Sequence, residues 1–362
     1  MLYRPGRVAG FFAACILLTG CRTYPAPGVG PTAPLPPPAA VRVYRAVRPV
    51  PLPDNLPTGL LSRFGSPPAG YAQDTGLLFA AWPSASGPAD GLYLQGTEGA
   101  PPRLLVRIAP GRAKDVATSS AIGEGYLAYQ VGPESGPATL PLELQRLSGG
   151  RAWALKLPAD DRGDVAALPT ITGGYLDFLA VRDTRTADRT AAVSCRLPQG
   201  PCRDLISLDS DRARHDVIAV SGYGPRLYAA LNPVDPAGGA SAEIISVPQA
   251  GGHRQVLWQG PGVITSIVPI HGGMLFTMFS GTDGAIYLLE GGGLARLTVP
   301  GDFPSHPSYG AGYVTWWDGS PCVFQIGSGR AYRVPGSLPE LFGNLLTFVT
   351  PQGVRWVRLP PT

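Results

Sequence analysis

Apolar residues in this chain come in short runs broken by turn chemistry, and the clearest example lies between Val263 and Pro300. Four runs sit there, Val263–Pro269, Met274–Phe279, Ala285–Leu289 and Leu294–Val299. They are separated by His271-Gly272-Gly273, Ser280–Gly284 and Gly291-Gly292-Gly293. Asp-Gly and Gly-Gly reach positive φ at little cost, so between β-rich runs they mark hairpin turns. The stretch predicts a four-stranded antiparallel meander. Its second strand recurs as Gly76–Trp82, Gly125–Val131, Gly174–Val181, Pro225–Leu231, Gly273–Phe279, Gly312–Trp317 and Asn344–Val349. Successive copies start 49, 49, 51, 48, 39 and 32 residues apart.

A four-stranded unit repeated seven times predicts an all-β fold, a β-propeller of seven antiparallel blades. Two stacked β-sandwiches are the alternative, but they account for neither the period nor the end of the chain. After Asn344–Val349 and Val354–Pro360 the last unit is one strand short. The alternating stretch Val41–Val47 is expected to fill that outer position and close the ring, which removes a bare sheet edge.

Composition fits a globular sheet protein. Of 362 residues 15% are charged and 9% aromatic, with 48 glycines and 41 prolines. Beyond the N-terminal segment these fall between apolar runs, where they act as turns. Net charge is +4, Lys114 and Lys156 are the only lysines, and no basic run tracks phosphates, so nucleic acid is not an expected partner.

Residues 1–20 have the form of a secretory signal: Arg4 and Arg7, then an apolar core Val8–Leu18. That core is too short for a bilayer of roughly 30 Å. Leu18-Thr19-Gly20-Cys21 resembles the lipobox of bacterial lipoproteins, and the resemblance implies lipidation of Cys21 and anchoring in the cell envelope. Arg22 follows where the family's inner-membrane retention pattern has Asp, which favours the outer membrane in a cell that has one. Residues 21–40 are expected to form the lipidated cysteine and a Pro-rich extended tether, and 41–362 the propeller.

Asp283-Gly284-Ala285-Ile286-Tyr287, Gly291-Gly292 and Arg296-Leu297-Thr298 resemble the second half of a TolB-type repeat, and Asp90-Gly91-Leu92-Tyr93 with Arg103-Leu104 is a fainter copy. The family's Ser-Pro-Asp-Gly signature is missing from every unit. The resemblance implies a TolB/WD40-like propeller. A lipidated cysteine ahead of a propeller is also the general plan of BamB-type assembly lipoproteins, without a motif specific to them.

Chemistry-bearing motifs are sparse. Cys195 and Cys202 flank the Leu197–Pro201 turn, where a disulfide in an exported chain contributes about 2.5 kcal/mol on the chain-entropy model. Cys322, in an apolar strand, is expected to be a buried thiol. His215, His253, His271 and His306 are scattered, and neither a metalloprotease helix motif nor a nucleophile elbow is present. Asp160, Asp161 and Asp164, or Asp209 and Asp211, have oxygens suited to Ca²⁺ but lack its loop spacing, so they read as solvated charge. No cofactor and no metal site is expected.

One recurrence stands out. Asp115, Asp164 and Asp216 open the innermost strands of units two, three and four, each preceded by an arginine: Arg112, Arg162 and Arg214. They read as carboxylates that fix neighbouring blades, or as an acidic arc at the channel rim. Loops between strands two and three, and between units, are longer and more charged than the Gly-rich turns of the opposite face. Function concentrates on long loops carried by a rigid scaffold. The charged-loop face is therefore the candidate binding face, with Trp317 and Asp318 as an added anchor. The expected role is an exported, lipid-anchored scaffold or assembly factor that binds a protein or peptide. An enzyme acting on glycan or peptide, with carboxylates at the axial mouth, is the alternative; a small-molecule or metal sensor is a third class.

Overall fold

The computed structural model describes residues 42–45, 49–62, 68, 70–72, 76–81, 91–96, 101–108, 115–133, 141–155, 165–183, 188–209, 215–234, 240–280, 283–298, 305–317 and 321–361. The chain divides into two units, Met1–Ala33 and Pro34–Thr362, of which the first lies outside those residues and the second holds the fold. All regular structure among the described residues is β-strand, arranged as a seven-bladed propeller. Blades 1 to 6 take residues 70–107, 115–154, 165–209, 215–260, 263–298 and 305–333, and blade 7 takes 337–358 with a fourth strand from the N-terminal region. Within each blade the strands run in order from an innermost strand a to an outermost strand d, and the a strands of successive blades are neighbours around the axis. All seven recurring second strands are the b strands of the seven blades.

The reason for a ring lies in the faces of the sheets. The apolar residues of each meander fall on both faces, so a single blade leaves two greasy surfaces exposed. The buried side chains accordingly form seven clusters, one at each blade–blade interface. Leu78 and Leu94 meet Leu127 and Tyr129 between blades 1 and 2, and Leu142 and Leu144 meet Phe178 and Val193 between 2 and 3. Ile206 meets Val220 and Leu227 between 3 and 4, and Ile244 meets Phe276 between 4 and 5. Leu275 and Ile286 meet Trp316 and Phe324 between 5 and 6, and Tyr313 and Val323 meet Phe348 between 6 and 7. Leu345 and Val354 of blade 7 meet Leu77 and Tyr93 of blade 1, which closes the circle. Burying one such side chain contributes roughly 1.5–3 kcal/mol. Trp316 thus serves interblade packing, and Cys322 is a buried thiol beside it.

Polar side chains stitch the same interfaces. The Asn232 amide imitates a strand: its Nδ2 donates to Ile264 O at 2.8 Å and its Oδ1 accepts the Ile264 N–H at 2.9 Å, tying blade 4 to blade 5. Thr190 Oγ1 accepts the Val217 N–H at 2.9 Å across blades 3 and 4. Ser308 Oγ accepts from Leu341 N–H at 2.9 Å and donates to Leu341 O at 3.1 Å across blades 6 and 7.

The innermost strands share a second feature that the sequence pattern does not announce. In blades 2 to 7 each carries a β-bulge a few residues from its start, between Ala117 and Ser119, Ala167 and Thr170, Val217 and Ala219, Ile264 and Ser266, Ser305 and Ser308, and Ser337 and Glu340. Pro169, Pro307 and Pro339 sit at three of these bulges. A bulge adds local twist, and it is where a residue without an N–H is tolerated in a sheet.

Ring closure corrects one expectation. Val41–Val47 does not complete the last blade; its described part, Arg42–Arg45, pairs parallel with Gly293–Thr298 on the outer edge of blade 5. Val50–Pro51 then pairs parallel with Ala331–Arg333 on blade 6. Thr58–Ser62 is the closing strand, antiparallel to Gly353–Arg358, with the Thr58 hydroxyl donating to Trp356 O at 2.9 Å. The alternation of Val41–Val47 fits any sheet edge and does not say which one. A Cβ on Gly59 would lie 2.6 Å from the Trp356 indole nitrogen, so any other residue here has to push the indole aside.

A chain beginning at Leu52 keeps the closing strand and is expected to unfold in one cooperative transition by calorimetry. A chain beginning at Arg63 loses it, and its transition should fall by about 10 °C or more or lose cooperativity. Similar behaviour of the two chains would contradict the assigned closure.

Candidate functional site

The blade geometry gives the ring two unlike faces. On one, a strands turn into b strands within a few residues, as from Gly123 to Tyr126, Thr172 to Tyr175 and Ile270 to Gly273. The c–d turns lie on this face too and are longer in blades 1, 2 and 4, from Gln95 to Arg103, Arg146 to Trp153 and Pro248 to Gln255. The opposite face carries the b–c connections and the links between blades. There the strand ends stand far apart in sequence over blades 1 to 4: Ala81 to Gly91, Pro133 to Glu143, Ala154 to Val165, Pro233 to Ala242. At blade 5 the same face has only Gly260 to Val263 and Ser280 to Asp283.

The predicted site residues fall on that second face where they are described. Asp115 is the first residue of strand a in blade 2, opposite Pro133, and Asp216 is the second residue of strand a in blade 4, opposite Asn232. Both therefore stand at the same rim, with blade 3 between them. Trp317 ends strand b of blade 6 on this face. Asp164, Arg112, Arg162, Arg214 and Asp318, and Cys21 at the far N-terminus, lie outside the described residues. Cys195 and Cys202 are cross-strand neighbours in blade 3 and form a disulfide. Among the described residues no three His, Cys, Asp or Glu side chains come together as a metal site.

A buried carboxylic acid lies elsewhere, on the short-turn side between blades 3 and 4. Asp177, in strand b of blade 3, is completely buried (0% exposed). Its Oδ2 accepts a 2.5 Å hydrogen bond from Nε2 of Gln249, a buried residue in the c–d turn of blade 4. Room for the carboxyl comes from Gly222 on strand a of blade 4, where a Cβ would lie 2.1 Å from Oδ2. The Gly222 N–H donates to Thr170 Oγ1 at 2.9 Å, which fixes this close approach. Burial raises the Asp177 pKa from 3.8 to about 6, and the Ser194 and Gln249 side chains pull it back only in part. Ser194 stands opposite Asp177 on the neighbouring strand, so its hydroxyl and the Gln249 amide are the donors that face the carboxyl. Asp177 was readable as the one acid in the apolar run Gly174–Val181; Gln249, in a turn, carried no such mark.

A second buried contact joins Tyr129 and Glu143, cross-strand neighbours in blade 2, where the phenol donates to Glu143 Oε2. Burial, and then the Glu143 bond and charge, raise the tyrosine pKa.

Because folding raises the Asp177 pKa, the native state holds this proton more tightly than the unfolded chain. That contribution is complete below about pH 4 and is lost as pH rises through about 6. Denaturant unfolding should show wild type losing up to about 3 kcal/mol across that window relative to Asp177→Asn, the equivalent of the shift. Parallel pH profiles for the two chains would refute the assignment.

No protein-family model matches the chain, and neither does any curated protein. Solved structures match in fold. Oligogalacturonate lyase in complex with manganese aligns at 12% identity over 84% of this chain and 91% of its own, with a TM-score of 0.56. YCF48 bound to D1 peptide aligns at 11% identity over 86% of this chain and 97% of its own, with a TM-score of 0.51. TolB from Acinetobacter baumannii aligns at 16% identity and a TM-score of 0.45 over 64% of this chain, which spans 63% of that TolB's length. At these identities the likeness is one of fold.

Proposed function

We propose that this chain is an exported, lipid-anchored propeller that binds a protein or peptide on its long-connection face, over blades 1 to 4. The observation that carries the proposal is the sectoral asymmetry: long connections crowd one side of one face, on a ring tied together at all seven interfaces. Long loops on a rigid support are a common form of binding surface. Asp115 and Asp216 stand at the rim of blades 2 and 4 in that sector, and in the sequence Asp164 falls between them, with Arg112, Arg162 and Arg214 two or three residues before the three acids. Mixed charge at a rim suits recognition of a polar partner surface, since complementary charge fixes orientation and speeds encounter.

Export and anchoring are supported by Leu18-Thr19-Gly20-Cys21, by the Pro-rich stretch Arg22–Ala40 and by the Cys195–Cys202 disulfide, which suits an oxidising compartment. Arg22 after the cysteine favours the outer membrane. That a propeller of similar fold, YCF48, holds the D1 peptide supports a peptide-binding role for such a ring.

Photo-crosslinking residues placed at Asp90, Lys114 or Glu134 in intact cells are expected to capture a shared partner identifiable by mass spectrometry. The same residues at His271 or Gly292, on the short-turn face, should capture none; equal capture from both faces would contradict the assigned surface. Cys21→Ser should move the chain from the membrane to the soluble fraction, and continued membrane retention would refute the anchor.

A further inference from the structure

Each blade ends outward in a strand whose free edge can pair with another chain, and each of the seven edges is dealt with in one of three ways. In blades 1, 3, 4 and 7 the outermost strand carries a bulge. The residue passed over is Leu105 in blade 1, Leu205 in blade 3, Leu257 in blade 4 and Leu61 in blade 7. In blade 2 the outermost strand is only Trp153–Ala154. In blades 5 and 6 the outermost strands, Gly293–Thr298 and Ala331–Arg333, pair in unbroken register with their inner neighbours. These two flat edges are the ones covered, by Arg42–Arg45 and Val50–Pro51. Among the described residues no bulged edge has a cover, and both unbulged edges longer than two residues have one.

Bulges and very short edge strands are devices that blunt a sheet edge, and a flat, unpaired edge is a template for pairing between chains. We infer that Arg42–Arg45 and Val50–Pro51 are edge guards, and that beneath the first of them blade 5 holds a latent interface for a second copy of this chain. The Gly293–Thr298 edge fits that occupant because it is uncharged apart from Arg296 and contains no proline. Like edges meet antiparallel about a two-fold axis, so each copy satisfies the other. The guard is short and parallel, a pairing mode slightly less stable per residue than the antiparallel one. This interface is separate from the long-connection face, and either can fail without the other.

The test compares the full chain with one beginning at Leu52, which keeps the closing strand Thr58–Ser62. The full chain should be monomeric by light scattering after size exclusion, and the shortened chain should run at twice its monomer mass or above. A synthetic peptide spanning Val41–Leu52, added in excess, should return it to monomer. Thr298→Cys should form an intermolecular disulfide in the shortened chain and not in the full one. A full chain with Tyr44→Pro and Arg45→Pro, adjacent positions of which one must face Gly293–Thr298, loses a ladder donor without shortening and should associate in the same way. Monomeric behaviour of both altered chains, while they retain a cooperative unfolding transition, would overturn the proposal. So would association that the peptide does not reverse and that leaves Thr298→Cys unlinked.

Discussion

A four-stranded meander with apolar residues on both faces has no interior of its own, and the rest of this structure follows from that constraint. Each blade covers one neighbour and is covered by the other, so the set is satisfied only when it closes. The cluster joining Leu345 and Val354 to Leu77 and Tyr93 is therefore not one contact among many, since without it two blades have a bare face. The interblade hydrogen bonds of Asn232, Thr190 and Ser308 fix how far each blade is turned against the next. Closure turns a string of marginal sheets into a single rigid support.

Much of this was legible in the sequence, for a physical reason. The b strands are buried on both faces, so they read as continuous apolar runs such as Met274–Phe279, bounded by glycines that the tight a–b turns require. Their number and spacing give the blade count directly. The identity of the closing strand was not legible. Val41–Val47 has the stronger alternation, while Thr58–Ser62 is brief and follows a proline-rich stretch. The close approach of Gly59 to the Trp356 indole belongs to the pairing and not to either strand alone, so neither strand announces it. Cys195 and Cys202 were readable because a hairpin turn dictates their proximity. The Asp177–Gln249 contact joins residues 72 apart across two blades, and neither residue was picked out in the sequence.

Irregular backbone recurs in this molecule at places where a regular sheet would be a liability. The innermost strands of blades 2 to 7 are bulged near the rim of the long-connection face, with proline at three of the sites, and four of the uncovered outermost strands are bulged at a leucine. Register, invisible to hydrophobic periodicity, thus separates the inner lining from the outer rim. The same ring presents short turns on one face and extended connections on the other, concentrated over blades 1 to 4. A rigid body with one elaborated sector is suited to holding a partner in fixed orientation. Asp177, on the opposite side, ties stability of the blade 3–blade 4 contact to pH.

Amide hydrogen exchange of the full chain, resolved by peptide, tests the closed ring most directly. The account predicts that Thr58–Ser62 and Gly353–Arg358 are protected together and exchange through one common opening, while Arg42–Arg45 exchanges faster. Rapid exchange of Thr58–Ser62 beside a protected Gly353–Arg358 would contradict it.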